Sequence, residues 1–283
     1  MTPAENKELG LNEIAQGRTK LASSPNFITL ETTSRCNLKC VMCSHAVGGV
    51  DRPKHLDEAL TAKLSKFMGQ ASAVQLHGIG EPTNSPAFWT CLADLPAPTV
   101  CESSINSNFT VINERQMDQL VASNLKIINV SLDAATSHTY QRIRGFDFER
   151  VLFNIRLFAD KKKANFQTYP LLYLNMTLMR TNIEELVQFV QLAKELNADM
   201  ACAWHLNRWP EEEMARFVVK RDEWLFDYSK EGLWNFPELS NEWIQKAQTE
   251  ADKLGLRLWL PSATRVYFDA ESEVAGTSQN DHG

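Results

Sequence analysis

No run of this sequence is apolar for long enough to cross a bilayer, and its first twenty residues are polar, without the apolar centre of a secretion signal. A membrane partner is therefore not expected, and the chain is read as soluble and cytoplasmic. An excess of basic residues is missing too. The formal charge is −6, which argues against nucleic acid as a partner. Cysteine is absent after Cys202, and the six that occur are few for a disulfide framework in 283 residues. In a reducing compartment, clustered thiols favour metal binding or redox chemistry. What the chain has in quantity is apolar side chains, 43% of the total, enough for a sizeable core.

The charge is unevenly spread. Fifteen acids and nine bases lie from Asn207 onward, leaving twenty of each before it, and five of the seven tryptophans (Trp209, Trp224, Trp234, Trp243 and Trp259) fall in the same last quarter. That shift marks a boundary. Residues 1–25 read as a polar, helical extension, 26–206 as the core, and 207–283 as an acidic, Trp-rich region ending in a polar tail, 271–283, expected to be disordered.

Within 26–206, short apolar strands alternate with helical periodicity. Strands are expected at 26–32, 73–78, 101–106, 126–133, 171–179 and 199–206. Helices are expected between them, the first carried by Leu56, Leu60, Leu64 and Phe67. Six strands alternating with helices imply a parallel α/β sheet, here a partial (βα)6 TIM-like barrel with a helical C-terminal extension. Beyond 207, helices are expected at 209–224 and 240–255, then a short strand at 256–261. The run of Lys161, Lys162 and Lys163 reads as a solvated helix end.

Ligands of parallel sheets bind at the carboxyl ends of the strands. The notable residues fall there. "TSRCNLKCVMCSH" (33–45) follows the first strand, "GIGEP" (78–82) the second, "NSN" (106–108) the third and Asp133 the fourth. Cys36, Cys40 and Cys43 lie within eight residues. Their spacing fits a buried helical stripe of small side chains, although Asn37 and Lys39 interrupt it. With His45 they also make a Cys₃His zinc set, although structural zinc sites usually draw ligands from two separate knuckles. In the third reading they hold an iron–sulfur cubane. Such a cluster normally takes four thiolates, so three leave one iron open to a small molecule, as a catalytic centre requires.

"CNLKCVMC" fits the CxxxCxxC signature of the radical S-adenosylmethionine (radical SAM) superfamily, and the chain resembles that family in several further motifs across 26–206. "GIGEP" resembles the family's GGEP-type turn, "INSN" (105–108) its Asn-rich turn, "VSLDAATSHTYQRIRG" (130–145) its SLD…IRG stretch, and "LNMTLMRTNIEEL" (174–186) its fifth-strand turn. The segment 17–43 is most similar to members that carry a SPASM or twitch extension. The resemblance implies a 4Fe–4S cluster on Cys36, Cys40 and Cys43. It would pass an electron, delivered by a donor such as flavodoxin or ferredoxin, to S-adenosylmethionine chelated at the open iron. Cleavage to methionine and a 5′-deoxyadenosyl radical would then abstract hydrogen from a peptide or small-molecule substrate. The resemblance assigns the cofactor's amine to the turn of Gly78, Gly80, Glu81 and Pro82. It makes Asn106, Ser131, Arg144 and Asn175 candidates for other cofactor contacts, Ser131 and Arg144 for its ribose or carboxylate.

Two positions depart from the pattern. Met42 stands where an aromatic residue often contacts adenine, and Ile79 separates the two glycines of the turn. The auxiliary clusters of SPASM and twitch extensions need further cysteines, so the chain reads as a shorter relative or one that stops before such an extension. Cys91, Cys101 and Cys202 lack ligand spacing and read as buried structural thiols. Trp204 and His205 close the sixth strand on the ligand edge, touching substrate or simply packed, and Asp133 either binds substrate or caps the following helix. The C-terminal tryptophans either pack helices against the barrel or cover its mouth and help select the substrate. Two further classes stay open: a non-catalytic or truncated cofactor- or peptide-binding module, and a zinc-stabilised binding domain.

Overall fold

The structure is a computed structural model, described for residues 1–262. The tail at 271–283, expected to be disordered, lies outside the described residues. Strands β1 (Phe27–Thr29), β2 (Ala73–Gln75), β3 (Glu102–Ser107), β4 (Ile127–Ser131), β5 (Leu171–Leu178), β6 (Met200–His205) and a late strand, β9 (Leu258–Trp259), form one seven-stranded sheet in the order β1-β2-β3-β4-β5-β6-β9. All six core strands form where expected, though β1 and β2 keep only three residues each. The short terminal strand is also present and adds a seventh.

Two compact units are distinguished. The first comprises Met1–Lys39, Gly48–Ser131 and Glu149–Tyr173. In it β1 to β4 pair in parallel, with Thr29 opposite Gln75, Gln75 opposite Ser104, and Asn106 opposite Asn129. Period-2 alternation buries Val74, Ile105, Ile128 and Val130 and leaves Gln75, Ser104, Asn106 and Asn129 on the opposite, more open face. The helices are α1 (Pro3–Ala15), α2 (Glu58–Met68), α3 (Pro86–Ala93), α4 (Glu114–Val121) and α6 (Phe148–Ala164, of which Phe148 belongs to the other unit). Three begin at side-chain caps (Thr2, Asp57 and Asn113), and Thr2 and Asn113 form full capping boxes. The N-terminal extension is held by buried polar groups. Asn6 bonds Ser24 and the Gln70 carbonyl, and Glu13 accepts from the amides of Ala22 and Ser23.

The second unit comprises Cys40–Val47, Leu132–Phe148 and the chain from Leu174 onward. It holds α5 (Ser137–Arg144), the end of β5, α7 (Leu186–Glu195), β6, α8 (Glu211–Met214), β7 (Val218–Arg221), β8 (Trp224–Asp227), α9 (Tyr228–Glu231), α10 (Pro237–Leu254) and β9. Strand β9 joins β6 in parallel, with Ala201 opposite Leu258. Helix α10 lies along α7. A core of Val41, Ile143, Met179, Leu206, Met214, Phe226 and Tyr228 fills this unit.

The helix expected at 209–224 does not form. Only Glu211–Met214 is helical there, and the chain then makes the β7–β8 hairpin. Val218 and Val219 favour a strand, Phe226 turns inward, and Asp222 takes the left-handed conformation (φ 53°) that a two-residue hairpin turn requires. Acidic periodicity in the helix register obscured that turn.

Candidate functional site

In the first unit the turns after β1, β2 and β3 converge. The β2 turn is seated on the cysteine segment by glycine. A Cβ on Gly80 would lie 2.1 Å from the Thr33 carbonyl oxygen and 2.7 Å from that of Arg35, and one on Gly78 would lie 2.3 Å from a Glu31 carboxylate oxygen. Two backbone bonds complete the seat: Glu81 N–H donates to the Arg35 carbonyl (2.8 Å) and Ile79 N–H to the Glu31 carboxylate (2.6 Å). Ile79, without a role in the sequence reading, thus supplies an amide to Glu31 while its side chain is half exposed. Pro82 opens a short 3₁₀ turn, where its missing N–H costs nothing.

The Glu81 side chain is 2% exposed. One carboxylate oxygen accepts from Thr83 N–H (3.2 Å), Thr83 Oγ1 (2.7 Å) and Ser107 Oγ (2.7 Å), the other from Asn108 N–H (2.7 Å). It therefore pins the β2 turn to the β3 turn. Burial pushes its pKa up, and the surrounding donors offset only part of that rise. Asn108 in turn reaches the first cysteine: its Nδ2 lies 3.7 Å from Cys36 Sγ and 3.0 Å from Asn37 Oδ1, and Leu38 N–H lies 3.5 Å from the same sulfur. Asn106 stands one strand pair earlier, exposed and opposite Asn129. Sequence reasoning singled out Asn106 and missed Asn108. Period 2 puts both on one side of β3, and the strand end at Ser107 was the available signal that the second reaches the loop.

Replacing Glu81 by Gln sets an NH₂ group against the N–H of Asn108 or the donors of Thr83 and Ser107. We expect a loss of about 2 kcal/mol of stability, read by urea unfolding. The pH dependence has a defined sign. A carboxyl whose pKa is higher folded than unfolded contributes its full stability below the ordinary carboxylate range and loses it as pH rises through the folded pKa. The wild-type protein is expected to show that decline and Glu81→Gln to flatten it, read by urea unfolding across pH.

In the second unit, Cys40 is buried and Cys43 half-buried, and Cys43 N–H donates to the Cys40 carbonyl (2.9 Å). The segment is tied to α5 by the Val41 amide on the Ile143 carbonyl (3.0 Å). The next residue of α5, Arg144, places Nη1 3.5 Å from Cys40 Sγ and pairs through Nη2 with Asp133. Burial pulls the guanidinium down, but Asp133, Cys40 and Tyr140 together outweigh it, and Arg144 stays firmly protonated. Its Nε is buried without a hydrogen-bond partner among the described residues. Asp133 (φ 60°, 1% exposed) is fixed on its other side, where it accepts from Thr177 N–H (2.7 Å) and its carbonyl accepts from Asn182 (2.8 Å). Asp133 thus spends its carboxylate on Arg144 and Thr177, while Thr136 caps α5.

Asn175 accepts the amides of Leu132 and Asp133 on its carbonyl, and Trp204 Nε1 (3.0 Å) on its side chain. Ser131 ends β4, half-buried, in the first unit, and Met42 packs on the Phe226–Tyr228 core. Trp204 is 46% exposed and stacks on Trp259 with ring centroids 3.6 Å apart. Beyond β6 and β9 lies a cavity of about 690 Å³ lined by His205, Trp209, Trp234 and Trp259 among others. The three C-terminal tryptophans of this lining are therefore not simply core residues. Cys91, Cys101 and Cys202 are buried, their thiols pushed by desolvation up to about 11, 11 and 12.

The family model described as "Radical SAM superfamily" matches residues 30–193, more than half of the chain. An AdoMet-dependent heme synthase of Methanosarcina barkeri is 28% identical over 185 residues, covering 63% of this chain and 50% of that protein. Mycofactocin maturase MftC of Mycobacterium tuberculosis is 27% identical over 184 residues, covering 62% and 44%. This chain thus spans about half the length of the curated relatives it matches. In fold it is similar to Streptococcus suis SuiB, solved with bound S-adenosylmethionine: TM-score 0.63, 16% identity, 89% of this chain and 53% of that one. On the family match across the cysteine segment and the βα core, the chain belongs to the radical SAM superfamily.

Proposed function

We propose that this chain is the catalytic core of a radical SAM enzyme, with Cys36, Cys40 and Cys43 holding a 4Fe–4S cluster and leaving one iron open to S-adenosylmethionine. The observation that carries this reading is the chemistry around the thiols. Cys36 and Cys40 each face a side-chain N–H donor, which favours thiolate over thiol, and the other three cysteines sit in apolar surroundings that favour the thiol.

The cofactor would supply, on one-electron reduction, methionine and a 5′-deoxyadenosyl radical able to abstract hydrogen from substrate. This chain's own residues bind and orient. The backbone of the Gly78–Pro82 turn, held rigid by Glu81, would receive the cofactor's amine. The buried, unpartnered Nε of Arg144 suits its carboxylate, since a buried donor left unpaired costs about 1–3 kcal/mol. Ser131, Asn106 and Asn175 lie on or beside the open strand faces and are candidates for the ribose and adenine. Met42 supplies a polarisable surface rather than an aromatic ring.

The substrate is a peptide or a small molecule. SuiB has been solved with its precursor peptide SuiA, and the heme synthase represents small-molecule chemistry. The Trp-lined cavity after β6 is our candidate for part of its seat, since apolar pockets with few polar groups are where such ligands bind. A flavodoxin or ferredoxin would deliver the electron, in the cytoplasm, where thiols stay reduced. Among the described residues no helix is long and apolar enough to cross a membrane.

The test is anaerobic reconstitution with iron and sulfide, followed by reductant and S-adenosylmethionine. About four irons per chain and formation of 5′-deoxyadenosine are expected. Zinc in place of iron, or a full cluster without cofactor cleavage, overturns the reading.

A further inference from the structure

Two of the three ligand cysteines are met by a side-chain N–H, and the two donors differ in charge. Asn108 offers a neutral amide to Cys36. Arg144 offers a guanidinium to Cys40, and that cation is itself counterbalanced by a buried carboxylate, Asp133, which is held by Thr177 N–H. The guanidinium bridges the other two groups, Nη1 toward Cys40 and Nη2 on Asp133. Asp133 sits at a left-handed backbone position that few residues other than Gly, Asn and Asp adopt readily, so the carboxylate is placed by its own backbone as well as by its bonds.

We propose that Asp133 and Arg144 are positioning residues that set the reduction potential of the cluster bound at Cys40, Arg144 raising it and Asp133 limiting the rise. This inference rests on the cluster reading above. Adding an electron to the cluster makes its thiolate shell more negative. A charge-assisted N–H on a ligand sulfur stabilises the reduced form, and so raises the potential. Burial keeps this interaction from being screened by solvent. Asp133 works in the opposite direction by neutralising the cation from behind. Asn108 acts like Arg144 on Cys36, but more weakly because it carries no charge.

The inference predicts opposite signs from neighbouring residues, which a merely structural role does not. The measurement is the midpoint potential of the reconstituted cluster, by anaerobic titration with dithionite-poised mediators and electron paramagnetic resonance, without S-adenosylmethionine. Asp133→Asn, which keeps the size and the backbone preference, is expected to raise the potential by a tenfold change in the reduction equilibrium, 59 mV for one electron. Arg144→Gln combined with Asp133→Asn leaves no buried charge behind, and is expected to lower it by a similar factor. Asn108→Leu is expected to lower it less. Arg144→Lys keeps the charge but cannot span both partners, and should fall between wild type and the double variant. Far-ultraviolet circular dichroism and iron content show that each variant is folded and loaded.

Potentials that stay together, or that all shift in one direction, overturn the inference while leaving the cluster reading intact. A wild-type protein with no reducible cluster signal overturns the cluster reading instead. If Asp133→Asn fails to load a cluster, the comparison of the double variant and of Asn108→Leu with wild type still decides, because only an electrostatic role makes loss of the cation lower the potential more than loss of the neutral donor.

Discussion

Alanine at Cys36, at Cys40 or at Cys43 will reduce iron in the reconstituted protein from about four per chain to less than one, and 5′-deoxyadenosine formation by at least a thousandfold, to background. The size of the effect follows from stoichiometry. A cubane held by three thiolates with one iron left open has no spare ligand, so a site with two becomes a loose, oxygen-labile cluster or none. The control is Cys91→Ala. Cys91 is fully buried, with its thiol pushed up to about 11 by desolvation. Its loss should cost about 1 kcal/mol of packing and leave iron content unchanged. Iron quantitation and 5′-deoxyadenosine formation in wild type and the four variants, with urea unfolding of Cys91→Ala, check all of this. A full cluster in the Cys40→Ala protein would sink the assignment.

Much of this architecture was readable from residue patterns because the patterns were long and redundant. β5 spans Leu171–Leu178 with strict alternation: Leu172, Leu174, Met176 and Leu178 are buried, and Tyr173, Asn175 and Thr177 are on the opposite, half-open face. A period of two sustained over eight residues has one interpretation. The helix at 209–224 failed for the converse reason. Its acids and its apolar residues match a helical period over one turn, but Val219 and Phe226 pack in one core with Val41 and Ile143, which no local window contains, and Asp222 takes the left-handed turn between the two strands.

The site was legible to a different depth. The cysteine spacing and the glycine turn are visible as letters, because the first is a ligand count and the second is a steric necessity. The roles of Glu81, Asp133 and Asn108 are not. Glu81 falls in a motif that points to cofactor binding, yet its carboxylate is consumed by Thr83, Ser107 and the Asn108 amide. Asp133 looked like a substrate ligand or a helix cap and instead faces a cation eleven residues later in the chain. Asn108 was not singled out, although it donates toward Cys36. In each case the partner is distant in sequence, and a buried polar residue reveals its function only through its partner.

Gly80→Ala carries the second large effect, and it separates the backbone of the β2 turn from its side chains. An added methyl would meet the carbonyl oxygen of Thr33 at 2.1 Å and that of Arg35 at 2.7 Å. Both are backbone atoms of the segment that leads into Cys36, and the Arg35 carbonyl already accepts from Glu81 N–H. No rotamer can relieve such a contact, so the turn must lift away from the cysteine segment. Overpacking of this kind costs about 3 kcal/mol, which lowers Tm by roughly 6–12 °C in a domain of this size. Displacing the turn by about 1 Å should also reduce cofactor cleavage on the order of a hundredfold. Gly48→Ala is the informative contrast, for that glycine has a left-handed φ of 70° but no atom within 4 Å of an added Cβ. Its cost is the backbone preference alone, about 1 kcal/mol, with cofactor binding expected to be retained. Differential scanning calorimetry paired with equilibrium binding of S-adenosylmethionine distinguishes the two. Equal losses of binding in both variants would mean that the β2 turn is not where the cofactor's amine is held.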